Sequence, residues 1–268
     1  MRRASLTTGA ALVGAVVVTS LVALVWTPFS PTAIVGPRLA PPGWPHVLGT
    51  DGVGGDIASR IMAGARLCLL VGVVSVAAAA AVGIPVGVLS AMSGRLGYVL
   101  ARGSDILYGF PALLLAILFA AALGGSTWTA MAAIAVATVP AFVRIARAAT
   151  LQVMGLAFVE AARLAGTPPW RIATRHVLPN IAPALGVQAS VSFGLAILAE
   201  AGLSYLGLGS GSGVPTWGRM LREAQDQLFN APLVALWPGL AVGLATLGFT
   251  LLGDGLRDLL DPRLRELT

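Results

Sequence analysis

Six apolar runs, each close to the length that crosses a bilayer, constrain this chain more than any other feature of its sequence. An α-helix rises about 1.5 Å per residue, so roughly 20 apolar residues span the ~30 Å hydrocarbon core. The runs lie at Gly9–Trp26, Leu67–Ala91, Ile106–Leu123, Thr127–Val143, Pro183–Leu206 and Leu233–Leu252. Only 10% of the 268 residues are charged, against roughly 25% in an average soluble protein. The sequence therefore predicts an all-α membrane protein with about six transmembrane helices, folded as a single domain over residues 1–268.

The first run has two interpretations, a retained span or a secretory signal peptide, because Arg2 and Arg3 precede it. Its 18 residues exceed the usual apolar core of a signal peptide, which has roughly 7–15 residues. No Ala-x-Ala-like cleavage site follows the run. We therefore expect a retained first helix.

The distribution of arginine predicts which side of the membrane each segment faces. All seventeen basic residues are arginines, and six spans would leave both termini on the same side. With the N-terminus inside, twelve arginines lie inside and five outside, which the positive-inside rule favours. Both termini and residues 150–180 are then cytoplasmic, whereas a polar, proline-rich loop at 27–65 is extracytoplasmic. We expect a multi-pass protein of the bacterial cytoplasmic membrane.

Several functions are excluded by residue types that are scarce or missing. A phosphate-binding P-loop uses a lysine to reach the phosphates of ATP, and this chain contains no lysine. One cysteine, Cys68, and two distant histidines, His46 and His176, provide neither an internal disulfide nor a usual metal cluster. The arginines are scattered between apolar runs, unlike the basic patch of a nucleic-acid-binding protein. We expect no metal, no cofactor and no nucleic acid on this chain.

The stretch between the fourth and fifth runs is too polar to span the membrane. A helix is predicted over Phe158–Ala165 because Glu160–Ala165 are good helix formers, and Gly166 can end this helix because glycine adopts the left-handed conformation at little cost. Thr167 can cap a second helix that starts at Pro168, and Pro179 is expected to interrupt it. Two short helices joined by a glycine would form a rigid knob. The alternative is a loop lying on the lipid headgroups, where arginine and tryptophan are also common.

A recognisable motif lies within this stretch. Glu160-Ala161-Ala162, then Gly166, then Leu178-Pro179, resembles the EAA signature of bacterial ABC importer permeases. In that family the motif forms a coupling helix that sits in a groove of the ATPase subunit, so the resemblance favours the knob. It implies that the residues coupling this chain to an ATPase are Glu160, Ala161, Ala162, Arg163, Gly166, Thr167, Trp170 and Arg171.

The rest of the chain resembles the permeases of dipeptide, oligopeptide and nickel importers, and in particular their second, C-type permease. The matching stretches are HVLGTD at 46–51 with GGD at 54–56, FPALLLA at 110–116, EAGLSYLGLG at 200–209, WGRML at 217–221, LGDGLRD at 252–258 and LDPR at 260–263. There are three departures from the family pattern: Gly55 replaces the usual arginine, Cys68 the usual serine, and Ser210–Val214 a proline-rich loop. These departures weaken any inference about the substrate.

The resemblance implies a type I ABC importer permease-like bundle without ATPase activity of its own. ATP and magnesium would bind to one or two ABC ATPase subunits. A second homologous permease and an extracytoplasmic substrate-binding protein would complete the complex in the lipid membrane. Peptides are the default cargo of the resembled family, but nickel and other cargo use the same scaffold.

Three polar residues of the fifth run, Gln188, Ser192 and Glu200, are candidates for the translocation path. Ionisable residues inside a membrane are usually functional, although Glu200 could instead lie at headgroup level and cap loop backbone. Gln188, Ser190 and Ser192 follow one another at spacings of two, so they cannot fully share one helical face. Hydrogen bonds between helices are the alternative to lining a pore.

Two other membrane functions fit the sequence less well. A secondary transporter driven by an ion gradient would normally show charges and internal repeats near the bilayer midplane, and this chain has almost none. An intramembrane serine protease needs a nucleophile and a base inside the bilayer, but neither histidine lies in a predicted span. The sequence therefore favours vectorial transport without chemistry in this chain.

Overall fold

A computed structural model describes residues 2–209, 213 and 215–260, and helices account for every regular element in that part of the chain. The α-helices are α1 Arg2–Val25, α2 Ile57–Met92, α3 Arg95–Tyr108, α4 Ala112–Leu123, α5 Thr127–Met154, α6 Ala157–Leu164, α7 Pro169–Ile172, α8 Leu178–Tyr205, α9 Trp217–Ala224 and α10 Leu233–Leu260. Except for Gly213, the Gly/Ser-rich loop at Ser210–Val214 lies outside the described residues, as does the tail motif beyond Leu260. The predicted all-α fold class is confirmed.

Membrane-spanning helices make up most of this fold. Five helices are long and apolar enough to cross a bilayer: α1, α2, α5, α10 and the continuous helix Pro169–Tyr205, which contains α7 and α8. The pair α3 and α4 makes a sixth span if the two are counted together. This result agrees with the prediction of about six spans.

The third apolar run, Ile106–Leu123, is not the single straight helix that the sequence predicts. The chain leaves α3 after Tyr108 and enters α4 at Ala112, and the two helix axes meet at 86°. Pro111 has no backbone N–H and disfavours a helical conformation at Phe110, the residue before it. With 12 residues, α4 is also shorter than the roughly 20 residues of a full crossing.

Several helices extend further than their apolar runs. The first turn of α2 begins at Ile57, where the side chain of Asp56 accepts a hydrogen bond of 2.8 Å from a backbone N–H. The predicted loop at 27–65 is therefore too long and ends at Asp56. Likewise α5 and α10 continue past Val143 and Leu252. Hydropathy detects where the apolar side chains stop, whereas the helical hydrogen bonds continue beyond that point.

The connections between helices alternate between two ends of the bundle, named here outer and inner after the predicted topology. At the outer end, residues of the loop at 26–56 and of α9 line one cavity, and Trp217 Nε1 of α9 donates a hydrogen bond of 3.0 Å to the carbonyl of Ile61 in α2. At the inner end, residues of α2, α5, α6, α7 and α8 share one apolar cluster beneath the segment 155–177. Which end faces the cytoplasm remains the prediction of the arginine distribution.

Small residues allow α2 and α5 to approach each other closely. A Cβ atom on Gly83 would lie 2.6 Å from the Cβ of Phe142, and one on Gly87 would lie 2.6 Å from the Cβ of Ala146. Close contact of this kind is how membrane helices associate, since lipid provides no hydrophobic drive between them. These two glycines therefore fix the spacing of the helices that carry the inner end.

Candidate functional site

The inner segment 155–177 begins with α6 and turns at a glycine. Gly166 has φ +75°, as its predicted role as a helix terminator requires. Its N–H donates to the carbonyl of Arg163 at 2.9 Å, and the N–H of Thr167 donates to the carbonyl of Ala162 at 3.0 Å. This pair of bonds is the Schellman motif, which satisfies the last carbonyls of a helix. The turn at Gly166, which sets the direction of the chain after α6, therefore depends on a backbone conformation that favours glycine.

The second helix of the segment starts one residue later than the sequence predicts. Pro168, not Thr167, occupies the N-cap position of α7, and its carbonyl accepts hydrogen bonds from Arg171 at 2.9 Å and Ile172 at 3.1 Å. The N–H of Thr167 instead closes the turn at the end of α6, by donating to the carbonyl of Ala162. Pro169 then fits the first helical position, where a missing N–H costs nothing.

Pro179 does not interrupt the helix, contrary to expectation. The chain continues from α7 through a π-helical turn at Ala173–Val177 into α8. In this wider turn the N–H of Leu178 donates to the carbonyl of Ala173, and Asn180 Nδ2 donates to the carbonyl of His176 at 2.7 Å. The widened turn and the asparagine side chain thus accommodate a proline that would break an ordinary α-helix.

Buried apolar residues attach the segment to the bundle. Val159 of α6 is fully buried and Ile172 of α7 is almost so, and both belong to the inner apolar cluster. Phe158 also contacts His176, with ring centroids 6.0 Å apart. The segment is therefore fixed to the inner ends of α2, α5 and α8 and is not a loose loop.

The opposite side of the segment presents both charge and apolar surface to its surroundings. Leu164 is 90% exposed and Trp170 is 64% exposed. The guanidinium of Arg171 lies 5.2 Å from the centre of the Trp170 ring. The predicted coupling residues Glu160, Ala161, Arg163, Gly166, Trp170 and Arg171 are all exposed, whereas Ala162 and Thr167 are partly buried. Large exposed apolar side chains beside charges are typical of a surface that binds a protein partner.

The polar residues of α8 divide between bonds within the helix and bonds to a neighbour. Gln188 Nε2 donates to Ser192 Oγ at 2.9 Å, one helical turn away. Ser190 faces a different direction and donates to the carbonyl of Phe249 on α10 at 2.7 Å. Only Ser190 makes the bond between helices that the alternative predicts, whereas Gln188 and Ser192 bond to each other within α8. Their role in the translocation path remains a prediction.

Glu200 lies inside the helix bundle, with only 2% of its surface exposed. Its carboxylate accepts a hydrogen bond from Ser204 Oγ at 2.7 Å and a longer one from Cys68 Sγ at 3.6 Å. These partners are side chains of α8 and α2, so Glu200 joins two spans and does not cap a loop. Cys68, at the position where the resembled family has serine, is a weaker donor than a hydroxyl.

The sequence did not predict a partly buried ion-pair cluster at the outer end. Arg60, in the first turn of α2, contacts Asp51 of the loop and donates to Glu223 of α9 at 2.7 Å. Arg219 donates to the other oxygen of Glu223 at 2.7 Å. Arg60 and Glu223 are 163 positions apart, so no local pattern could have paired them.

The electrostatics of this cluster favour the ionised carboxylate of Glu223. Its partial burial alone would raise the pKa, but Arg60 and Arg219 outweigh that effect and hold the pKa of Glu223 below its ordinary value. The cluster borders a cavity of about 510 Å³ that both acidic and basic side chains line. Arg60 therefore ties three segments of the outer end together: the loop, α2 and α9.

Comparison with known proteins gives consistent matches over most of the chain. A family model described as binding-protein-dependent transport system inner membrane component matches residues 83–266. The glutathione transport system permease protein GsiD of Pectobacterium atrosepticum is 41% identical, over 84% of this chain and 75% of its own length. The dipeptide transport system permease protein DppC of Alkalihalophilus pseudofirmus is 39% identical, over 96% of this chain and 86% of its own length.

Among solved structures, the MetNI methionine ABC transporter in inward-facing conformations contains a similar chain. The TM-score is 0.62 with 19% identity, over 78% of this chain and 96% of the matched chain. At this identity the likeness concerns the fold, and it confirms the predicted type I ABC importer permease-like bundle. Together with the family model and the relatives, it leads to one conclusion: the chain belongs to the inner membrane components of binding-protein-dependent transport systems and is a transport permease subunit.

Proposed function

We propose that this chain is one of two permeases of an ATP-driven importer that carries small peptides across the cytoplasmic membrane. The observation that carries the proposal is the inner segment 155–177, which is anchored by its buried side and exposes Leu164 and Trp170 on the other. A segment of this kind can receive a displacement from a bound protein. ATP and magnesium would be held by one or two partner ATPase subunits.

The path of the displacement follows from helix continuity. The helix Pro169–Tyr205 runs unbroken for 37 residues, so a shift at α7 is passed directly to α8. Further along α8 lie Gln188, Ser192 and Glu200, the polar residues that we propose border the translocation path. Rigid-body movement of packed helices is a common way to switch a protein between two states. This chain would therefore contribute alternating access, and no covalent step.

The names of the relatives support peptides as the substrate class. The similar permeases described above serve dipeptide and glutathione transport systems, and further relatives of about 40% identity are named for peptide transport. Nickel, the other cargo carried on this scaffold, finds no support in those names.

The proposed complex also contains an extracytoplasmic substrate-binding protein, which the family description supports, and a second homologous permease. The binding protein would deliver peptide to the outer end, where the loop at 26–56 and α9 lie. Both termini and the segment 155–177 would then face the cytoplasm, in agreement with the excess of inner arginines.

The experiment is uptake into proteoliposomes that contain the complete complex, with labelled dipeptide, labelled glutathione and nickel as separate substrates. We expect accumulation of a peptide that requires binding protein outside and ATP on the ATPase side. Accumulation driven by an ion gradient in the absence of ATP would overturn the proposal. ATP-dependent uptake of nickel alone would refute the peptide assignment and leave the importer assignment intact.

A further inference from the structure

A basic groove between α3 and α5 near the inner end has no role in the proposed transport mechanism. It encloses about 180 Å³ and is lined by residues of both helices, among them Ser104, Asp105, Arg144 and Arg147. Arg102 lies beside it and approaches Asp105. Arg102 and Arg144 approach Asp105, and Arg147 lines the same groove, so three arginines and one aspartate leave a net positive charge in this part of the groove.

The arginines of the groove are not fully satisfied by the described part of the chain. The nearest atoms of Arg144 and Asp105 are 3.8 Å apart and those of Arg102 and Asp105 are 3.7 Å apart, which is longer than a hydrogen bond. The Nε of Arg147 is buried and has no hydrogen-bond partner among the described residues. Arginines outnumber carboxylates in and beside the groove, so an anion there would be stabilised by charge-assisted hydrogen bonds.

The helix that forms one wall of the groove has the features of a membrane-surface helix. α3 meets α4 at 86°, and only Gly97 and Ala101 of α3 are buried. Its exposed large side chains include Tyr98, Ile106 and Tyr108, which are aromatic or apolar. Amphipathic helices with aromatic and basic residues lie at the boundary between headgroups and acyl chains.

Aromatic rings hold two of the arginines at this boundary. The Arg144 guanidinium lies 4.0 Å from the centre of the Tyr108 ring, and that of Arg102 lies 5.2 Å from the Tyr98 ring. Stacking fixes the plane of a guanidinium and leaves its edge free to bind a phosphate with two hydrogen bonds. Basic pockets between membrane helices on the cytoplasmic side are suited to anionic headgroups.

We propose that this groove binds the phosphate of an anionic phospholipid headgroup from the inner leaflet. The acyl chains would lie along the exposed apolar surface of α3, and Arg144 and Arg147 would contact the phosphate. The excess of arginine over aspartate argues for an anion, and the exposed apolar surface of α3 argues for a lipid in preference to a free ion.

The test measures lipid bound to the purified, complete complex by native mass spectrometry, at equal added phosphatidylglycerol and phosphatidylcholine. We expect phosphatidylglycerol to be retained selectively. The double variant Arg144→Gln/Arg147→Gln should bind it about 30-fold more weakly, since each arginine near an anionic headgroup contributes roughly fivefold. Arg257→Gln, an exposed position near the inner end of α10, is the matched control and should bind as the unmodified complex does.

A second variant separates loss of charge from loss of folding. Arg144→Lys/Arg147→Lys keeps both charges and should retain most of the phosphatidylglycerol, although the two-pronged hydrogen bonding is lost. Inorganic phosphate is added as a competitor, and displacement of the lipid at millimolar phosphate would assign the groove to a free anion instead. Unchanged binding in the glutamine variant would overturn the proposal. So would a cross-link from a cysteine at Ser104 to the second permease, which would make the groove a subunit interface.

Discussion

Replacing Arg60 by methionine should detach the loop at 26–56 from the outer end of the bundle. The Arg60 and Asp51 side chains are 10% and 7% exposed, so the substitution leaves a buried carboxylate without its cation. Removing one partner of a buried ion pair costs about 3–5 kcal/mol. The N–H groups of Val53 and Gly55 still donate to Asp51 at 2.9 and 2.8 Å, so the lower limit of about 3 kcal/mol applies.

The second ion pair of Arg60 contributes much less. The Glu223 side chain is 36% exposed, and water screens its interaction, so Glu223→Gln should cost less than about 1 kcal/mol. The two variants therefore differ by about 2 kcal/mol in a single cluster, and Glu223→Gln is the internal control. Arg60→Lys should lie between them, because lysine keeps the charge but cannot bridge two carboxylates in the same way.

Hydrogen exchange of the purified protein, resolved by peptide, measures this effect locally. The loss of about 3 kcal/mol corresponds to roughly 100-fold faster exchange in the loop at 26–56, provided that the loop opens independently of the spans. The membrane-spanning helices should exchange as before. Equal effects of Arg60→Met and Glu223→Gln, or no effect of Arg60→Met, would refute the assignment of Arg60 as the central attachment.

Three further predictions follow from the outer end, the bundle interior and the topology. The pKa of Glu223 in the folded protein is held below the ordinary 4.5, so the stability that its ionised carboxylate contributes is fully present above pH 4.5. That contribution is lost as the pH falls through the lowered pKa. Exchange protection of α9, corrected for intrinsic rates, should show this step, and Glu223→Gln should remove it. Glu200→Gln should preserve folding because the amide oxygen can still accept from Ser204 Oγ, while the amide NH2 faces only the weak donor Cys68 Sγ. Glu200→Ala leaves the Ser204 hydroxyl unpaired and creates a cavity, at a cost of about 2–4 kcal/mol. Yields of folded protein after detergent extraction compare the two variants. The topology is tested in a Cys68→Ser background with an impermeant thiol reagent added to intact cells. The reagent should label Trp44→Cys, because this position in the outer loop is 95% exposed, but not Thr167→Cys. Labelling of Thr167→Cys would show that the orientation is the reverse.

The parts of the structure that were predicted correctly are those encoded locally. Apolar runs of nearly 20 residues identify the spans because crossing a bilayer requires that length. Gly166 was identified as the end of α6 because the left-handed conformation strongly favours glycine, and φ +75° confirms it. The all-α fold class and the family resemblance likewise follow from periodicity and short motifs.

The incorrect predictions have two kinds of physical cause, local backbone geometry and contacts between residues far apart in the sequence. Hydropathy indicates one continuous span where the bend at Pro111 separates α3 from α4. The N-cap of α7 is Pro168 and not Thr167, because the N–H of Thr167 closes the turn at the end of α6. Pro179 does not end its helix because the π-helical turn at Ala173–Val177 accommodates the missing N–H. The Arg60–Glu223 pair depends on tertiary structure that only the folded bundle creates.

The central claim is that the segment 155–177 transmits ATP hydrolysis to the bundle, and Gly166→Val tests it most directly. A Cβ at this position meets no atom within 4 Å, so any effect comes from the turn and not from a clash in the core. A side chain in the left-handed region costs about 1–2 kcal/mol, and a branched one costs more, so the turn and the surface around Leu164 and Trp170 should be redirected. Gly14→Val is the matched control, because it also adds a branched side chain in open space but lies within a helix.

Uptake and ATPase activity are measured together in reconstituted complexes, with assembly checked by co-purification of the ATPases. Gly166→Val and Glu160→Ala should yield inserted, folded permease with little or no uptake, and any remaining ATP hydrolysis should not be coupled to transport. Gly14→Val should transport normally. Wild-type uptake by Gly166→Val with the ATPases bound as in the unmodified complex would contradict the account, because the segment would then not be the coupling element.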